Sequence, residues 1–117
     1  MPDKDKAEQI DLTLNDYQAL ALVTWQPWAD DSANYGYLAL GLNGEAGEVA
    51  EHVKKFMRHG KDLDHDALKK ELGDLLWYAS VMAHELGYTL EDVAADNIAK
   101  LSARYPGGFV KRWGNGK

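Results

Sequence analysis

Two short segments of the chain place carboxylates one helical turn apart. Two residues separate Glu45 from Glu48, and two separate Glu71 from Asp74. Residues three apart lie on one face of a helix, so each segment would present two carboxylates side by side. Two such helices packed antiparallel would bring four carboxylates together. An all-oxygen ligand set favours Mg²⁺, Mn²⁺ or Ca²⁺ over zinc or copper, and the spacing therefore predicts a hard-cation site.

A helical projection shows where these acids lie relative to the predicted core. At about 100° per residue, Glu45 falls inside an apolar stripe and Glu48 at its edge. Glu71 borders the stripe of the other helix, and Asp74 lies one step outside it. A carboxylate that faces a core must be neutralised, paired or bound to a metal. Solvated surface acids are the alternative, because such spacing is common on exposed helices. The two stripes consist of Leu38, Leu42, Val49, Val53 and Phe56, and of Leu68, Leu72, Leu75, Ala79, Met82 and Leu86.

Capping and helix-ending signals predict four helices that position the acids. Thr13 with Asp16 and Thr89 with Asp92 form capping boxes, and no segment alternates with the period of a strand. The predicted helices cover about residues 14–26, 35–59, from Asp64 or Asp66 to about Leu86, and from Thr89 to about Arg104. The sequence predicts an all-α fold of the four-helix bundle type. It would be one domain over residues 1–117, with a core at about 14–106 and flexible ends.

Composition restricts the classes of function. The chain has 117 residues, no cysteine, and thirteen basic against nineteen acidic residues, for a net charge of −6. This charge argues against a duplex nucleic-acid partner, which usually meets a basic face. No apolar run is long enough to span a membrane. Residues 1–9 are charged and lack the apolar segment of a signal peptide, so we expect a cytoplasmic protein.

Polar residues outside the acid pairs could contact a phosphate-bearing ligand. Asn97, Lys100 and Arg104 lie along one edge of the fourth predicted helix, and Asn97 interrupts its apolar stripe. A buried Asn needs a partner, either a ligand or a neighbouring helix. Lys54 lies beyond Glu48 and could reach a polyphosphate, although lysines also suit a helix C-terminus. The Tyr78 hydroxyl could orient a phosphate, or the ring could belong to the core.

Two glycines within the predicted helices and a group of aromatic residues each have a functional and a structural interpretation. Gly47 and Gly73 lie within the predicted helices, where each costs about 1 kcal/mol relative to Ala, and they could allow close helix packing or leave room for a ligand. Four aromatic residues precede or open the second helix. They could stack on a nucleobase, or belong to a core or subunit interface. They are Trp25, Trp28, Tyr35 and Tyr37.

With these motifs the chain resembles the MazG-like members of the all-α nucleoside triphosphate pyrophosphohydrolases. The family signature is E-x-x-E followed, after a linker, by E-x-x-D, which appears here as the two acid pairs. The resemblance covers roughly residues 14–110. Other segments typical of the family are Leu40-Gly41-Leu42-Asn43-Gly44-Glu45-Ala46-Gly47-Glu48-Val49, Glu71-Leu72-Gly73-Asp74-Leu75-Leu76-Trp77-Tyr78, Asn97-x-x-Lys100-x-x-x-Arg104-Tyr105-Pro106 and Tyr17-Gln18.

The resemblance implies a specific reaction and oligomeric state. It implies hydrolysis of the α–β phosphoanhydride of (d)NTPs to (d)NMP and pyrophosphate, in nucleotide-pool control or house-cleaning. The catalytic and Mg²⁺-binding residues would be Glu45, Glu48, Glu71 and Asp74, with Mn²⁺ as a substitute ion. Substrate contacts would be Lys54, Tyr78, Asn97, Lys100 and Arg104. The subunits would form a homodimer or a homotetramer that is a dimer of dimers, with neither membrane nor nucleic acid as a partner.

Three alternatives remain open at the level of sequence. One is a non-catalytic helical oligomerisation or regulatory module. Another is a sister activity on dUTP, dCTP or phosphoribosyl-ATP, since the sequence does not reveal a base preference. A di-iron protein is disfavoured, because no histidine of this chain follows a Glu at the Glu-x-x-His spacing.

Overall fold

The chain folds into helices joined by short links. The structure is a computed structural model that describes residues 11–60 and 62–109. These residues form α1 (Leu14–Leu22), α2 (Asp31–His59), α3 (His65–Glu85), α4 (Leu90–Arg104) and the single turn α5 (Pro106–Phe109). No strand occurs within them, which confirms the all-α prediction and the four longer helices. The predicted flexible ends lie mostly outside the described residues, and the limits of the domain stay a prediction.

The capping residues set the helix starts as predicted. Thr13 accepts a hydrogen bond from the Asp16 N–H at 3.0 Å, and Asp16 accepts one from the Thr13 N–H at 3.2 Å. Thr89 and Asp92 form the same reciprocal pair at the start of α4, with both distances 3.0 Å. Of the two candidate caps of α3, Asp64 is the one used, because its side chain accepts from the Ala67 N–H. Each cap pairs N–H groups that a helix leaves without a backbone partner.

Two predicted boundaries before α2 are wrong. The first helix ends at Leu22 rather than near residue 26, because the following N–H groups bond carbonyls three residues back in tighter turns. The second begins at Asp31 rather than Tyr35, since the Asp30 side chain accepts from the Ser32 N–H at 3.1 Å. The stretch between the two predicted helices, residues 27–34, therefore contains the N-cap and first turn of α2.

Helix α2 ends at a glycine, and a short helical turn follows α4. Gly60 ends α2 with φ of 64°, a left-handed conformation that suits glycine, and its N–H bonds the Phe56 carbonyl at 3.0 Å. After α4, Pro106–Phe109 forms a helical turn at the start of what was predicted as a flexible end. The remainder of that end, residues 110–117, lies outside the described residues.

The core lies at one end of a helical hairpin formed by α2 and α3. Helix α3 packs against α2, α1 and α4, whereas α2 contacts neither α1 nor α4 closely along its backbone. Every buried residue in the described part of the chain falls within residues 18–38 or 80–90. The buried residues are Gln18, Ala21, Asn34, Leu38, Ser80, Val81, Ala83 and Leu90. The core therefore lies where the end of α3 packs against α1, α4 and the start of α2.

A buried glutamine joins three helices at this core. The Gln18 amide group donates to the carbonyls of Ser80 at 3.0 Å and Tyr88 at 3.3 Å. Its side-chain oxygen accepts from the Leu90 N–H at 3.0 Å, one of the free N–H groups at the start of α4. The Gln18 side chain therefore links α1 by hydrogen bonds to the end of α3 and the beginning of α4.

The opposite end of the hairpin is uncovered. We call residues 49–60 and 62–72, at this end, the arm; none of them is buried. Met57 is 75% exposed and Leu72 57% exposed, and Phe56 is exposed as well. Outside the arm, Ala79 and Leu86 on α3 are also exposed. The prediction that these stripe residues belong to the core is wrong for the single chain, namely for Phe56, Leu72, Ala79 and Leu86. Helix α1 hydrogen-bonds the last part of α3, and α4 hydrogen-bonds α1, so both leave the arm open. No described helix is long and apolar enough to cross a membrane.

Candidate functional site

Three of the four predicted metal ligands come together midway along the α2–α3 hairpin. Glu45 lies on α2, and Glu71 and Asp74 lie on α3. Each offers one carboxylate oxygen, and the three oxygens lie within 4.8 Å of one another. Glu45 and Glu71 are half-buried and Asp74 is exposed. Glu48 is exposed and does not belong to this group of oxygens, although it lies one turn further along α2.

The cluster consists of three carboxylates, whose negative charges repel one another. The pKa of Glu45 is raised, mainly because its carboxyl group hydrogen-bonds the Glu71 carboxyl, and further by partial burial. The negative charges of Asp74, Glu71 and Glu48 raise this pKa as well. Two carboxyl groups share a hydrogen bond only when one of them holds a proton. A divalent cation could replace that proton, and oxygen ligands suit a hard cation, so these residues fit the predicted metal.

An aromatic groove begins at the acid cluster. A cleft of about 390 Å³ is lined by Glu45, Asp74, Tyr78, Thr24, Tyr37 and Trp77. A second cleft of about 290 Å³ is lined by the last three of these together with Trp25, Gln26 and Trp28. The two clefts share a wall and are therefore adjacent. We call them together the aromatic groove, with carboxylates at one end and indole rings at the other.

The rings of the groove are held in place by hydrogen bonds. The Trp77 indole N–H donates to the Thr24 hydroxyl at 2.8 Å, and the Trp25 indole N–H donates to Glu85 at 2.9 Å. Trp25 and Trp77 meet edge to face with ring centroids 6.0 Å apart. Because their N–H groups already have protein partners, these rings offer a ligand apolar surface in a fixed orientation.

The loop before α2 adds an exposed indole with a rigid backbone. Trp28 is half exposed, and its ring meets Tyr37 edge to face with centroids 5.4 Å apart. The buried Asn34 side chain donates to the Trp28 carbonyl at 3.0 Å and accepts from the Trp28 N–H at 2.9 Å. A buried amide therefore fixes the loop, so that an exposed aromatic surface lines the groove.

Tyr78 lies between the acids and the aromatic rings. Its pKa is raised by partial burial, by a hydrogen bond with Tyr37 and by the charges of Glu45 and Asp74. The hydroxyl thus stays protonated at neutral pH and can donate to an anionic ligand. The Tyr78 ring also packs directly on Gly41, where a Cβ atom would overlap it.

Gly41 is a site residue that sequence reasoning missed. Its signals were its place inside a predicted helix shortly before the first acid pair and within a segment typical of the family. Close helix packing was predicted for Gly47 and Gly73 instead. A Cβ atom added at either of them would meet no atom within 4 Å. The interpretation that these two glycines allow close helix packing is wrong within the single chain.

The remaining predicted substrate contacts do not line the groove. Lys54 points to Glu51, with 3.5 Å between the charged atoms. Asn97, Lys100 and Arg104 are exposed on α4, which does not pack against α2. The prediction that Asn97 is buried is wrong. In the single chain, the structure joins Tyr78 with three of the four predicted acids, and leaves the other predicted contacts elsewhere.

Comparison with known proteins identifies the family. A family model described as the MazG nucleotide pyrophosphohydrolase domain matches residues 34–109, which include both acid pairs, Tyr78 and α4. The chain is similar to the gene 37 protein of Mycobacterium phage L5, with 35% identity over 92 residues that cover 75% of this chain and 81% of the phage protein. No solved structure matches the chain. The family match and the paired acids lead to the same conclusion: this chain belongs to the MazG nucleotide pyrophosphohydrolase domain family.

Proposed function

We propose that the protein hydrolyses nucleoside triphosphates at the α–β phosphoanhydride, giving a monophosphate and pyrophosphate. The observation that carries this proposal is the group of three carboxylate oxygens within 4.8 Å at one end of the aromatic groove. Membership of the MazG family supports nucleotide pyrophosphohydrolysis as the class of reaction. Nucleotide-pool control or house-cleaning in the cytoplasm is part of the proposal.

The acid cluster would hold Mg²⁺, with Mn²⁺ as a substitute. Glu45, Glu71 and Asp74 would be its ligands, and Glu48 would join them as the fourth acid of the family motif. The family in general depends on a divalent metal. When bound, such an ion offsets the charge of phosphate oxygens and favours ionisation of an attacking water.

The groove would orient the substrate relative to the cluster. A nucleobase would stack on the exposed aromatic surface of Trp28 and Tyr37, while the phosphates would extend towards the carboxylates. The Tyr78 hydroxyl would donate to a phosphate oxygen, because its raised pKa keeps the proton in place. Gln26, at the aromatic end, is the side-chain amide available to read the base edge.

A second copy of the chain would complete the assembly. The arm exposes Met57 and Leu72, and burying such side chains is worth roughly 1.5–3 kcal/mol each. We propose a homodimer, or a dimer of dimers, in which the arm is covered. Asn97, Lys100, Arg104 and Lys54 would contact phosphate in that assembly.

Light scattering tests the assembly. A Leu72→Lys variant should shift the mass towards the monomer, because it places a charge on the covered surface. Val23→Lys is the matched control, since Val23 is 71% exposed and lies outside the arm. A wild-type monomer at micromolar concentration would contradict this part of the proposal.

A nucleotide panel tests the reaction. Purified protein is incubated with canonical and modified (d)NTPs and Mg²⁺, and the products are resolved. Monophosphate with pyrophosphate is expected, and the panel also separates a general activity from one restricted to dUTP, dCTP or phosphoribosyl-ATP. Diphosphate with orthophosphate would contradict the bond assignment. Failure to bind Mg²⁺ or any nucleotide in calorimetry would favour the non-catalytic module instead.

A further inference from the structure

A histidine outside the predicted ligand set contacts the acid cluster. The Nε2 atom of His52 lies 3.6 Å from Oε2 of Glu71, and the two side chains are 32% and 18% exposed. By comparison, the ion pair between Lys54 and Glu51 has side chains that are 70% and 47% exposed. Exposed pairs of that kind contribute little, whereas a shielded contact constrains its partners more strongly. The contact of His52 is thus the better protected of the two.

The position of His52 follows from the helix period. It lies seven residues after Glu45 on α2, two turns along the same face. Glu71, the carboxyl group that His52 contacts, also has a carboxylate oxygen within 4.8 Å of one of Glu45. One carboxyl group is therefore held from both sides along α2, by an acid of the cluster and by an imidazole.

The surroundings of His52 separate it from the aromatic groove. Its ring lines a different cleft of about 210 Å³ at the arm end, together with Lys55, Phe56, His59, Asp62, Leu63 and Asp64. None of these residues belongs to the group of metal-competent carboxylates. His52 therefore contacts Glu71 from a cleft other than the one that Glu45 and Asp74 line.

We propose that His52 is a positioning residue: its Nε2, 3.6 Å from Glu71 without metal, donates a hydrogen bond to that carboxylate once the divalent ion is bound and so fixes its orientation. This inference rests on the proposed function, because it assumes that the cluster holds a metal. A carboxylate has acceptor capacity for both a hydrogen bond and a metal ion. Hydrogen bonds to metal ligands restrict their orientation, and losing one typically weakens metal affinity by about 10–100-fold.

Manganese affinity, measured by the loss of the free Mn²⁺ electron paramagnetic resonance signal, tests the inference without substrate. His52→Leu, which keeps bulk but removes the donor, should weaken Mn²⁺ binding by about tenfold or more. His52→Gln keeps an N–H donor and should restore most of that affinity. His59→Leu is the matched control, because His59 lines the same cleft and is not in contact with Glu71. Thermal unfolding verifies folding, and His52→Ala replaces the leucine variant if that one does not fold.

Kinetics give a second readout. In His52→Leu, the Mg²⁺ concentration for half-maximal nucleotide hydrolysis should rise by a similar factor, whereas kcat at saturating Mg²⁺ should change much less. Wild-type Mn²⁺ affinity in the leucine or alanine variant would overturn the inference and leave the proposed function intact. Equal loss in the glutamine and leucine variants would also overturn it, since bulk rather than the donor would then matter. A wild-type protein that binds no Mn²⁺ and hydrolyses no nucleotide would overturn both.

Discussion

The two ends of the α2–α3 hairpin differ in how their polar groups are satisfied. At the core end, Leu38 and Val81 are fully buried, and Gln18 makes three hydrogen bonds to backbone groups. In the arm no residue is buried, and exposed Lys54 pairs weakly with Glu51. The acid cluster lies where the arm meets the rest of the hairpin, at one end of the aromatic groove. The core end therefore supplies the stability of the single chain, and the middle holds unbalanced charge that a ligand can use.

The largest expected effect is a loss of activity without a loss of stability when an acid of the cluster is neutralised. Asp74→Asn should lower nucleotide hydrolysis by about a thousandfold, equivalent to about 4 kcal/mol, while the melting temperature without metal stays the same or rises. The reason is that Asp74 is exposed and its charge repels its neighbours, so folding does not need it. Initial rates and thermal unfolding measure the two quantities. Asp96→Asn, on the exposed part of α4, should change neither, and retention of activity in Asp74→Asn would remove Asp74 from the site.

At the core end, by contrast, a substitution should lower the stability of the fold. Gln18→Ala should lower the free energy of unfolding by about 2–4 kcal/mol, because it leaves the carbonyls of Ser80 and Tyr88 and the Leu90 N–H without partners. Urea unfolding measures this loss, with Gln26→Ala as the exposed control. A loss below about 0.5 kcal/mol would mean that water replaces the glutamine and that this core is more open than the structure indicates.

Adding one methyl group at either of two glycines of α2 should change stability in opposite directions. Gly41→Ala should destabilise the fold by about 1–3 kcal/mol, because the added methyl group overlaps the Tyr78 ring. Gly47→Ala meets open space and should stabilise the single chain by up to about 1 kcal/mol through helix propensity. Unfolding at low protein concentration compares the two variants. If Gly47→Ala is neutral alone but reduces self-association, the second copy packs against that turn of α2.

The smallest expected effect is a pH dependence without metal. The folded-state pKa of Glu45 is raised above its ordinary value of 4.5, so the folded chain binds its proton more tightly than the unfolded chain does. That contribution to stability is fully present below 4.5 and is lost as the pH rises through the raised pKa. The difference in melting temperature between wild type and Glu45→Gln should therefore shift against wild type with rising pH. Saturating Mg²⁺ should oppose this trend, and a pH-independent difference would contradict the shared proton.

Local sequence patterns determined most of the helical framework. Thr13, Asp64 and Thr89 each accept a bond from an N–H within three residues, so their caps can be read without knowledge of the fold. The end of α1 and the start of α2 were harder to predict. Asp30 caps a helix inside a segment rich in small and polar residues, where the same composition also suits a loop.

The acid motif and its antiparallel placement could also be predicted from sequence, since helix period and short links are local properties. Glu45, Glu71 and Asp74 do meet, as the paired spacing implies. The tertiary structure alone showed that Glu48 lies outside that group and that Tyr78 packs on Gly41. It also showed that His52 reaches Glu71. These facts depend on which side chains share a space between two helices, and spacing within one helix contains no such information.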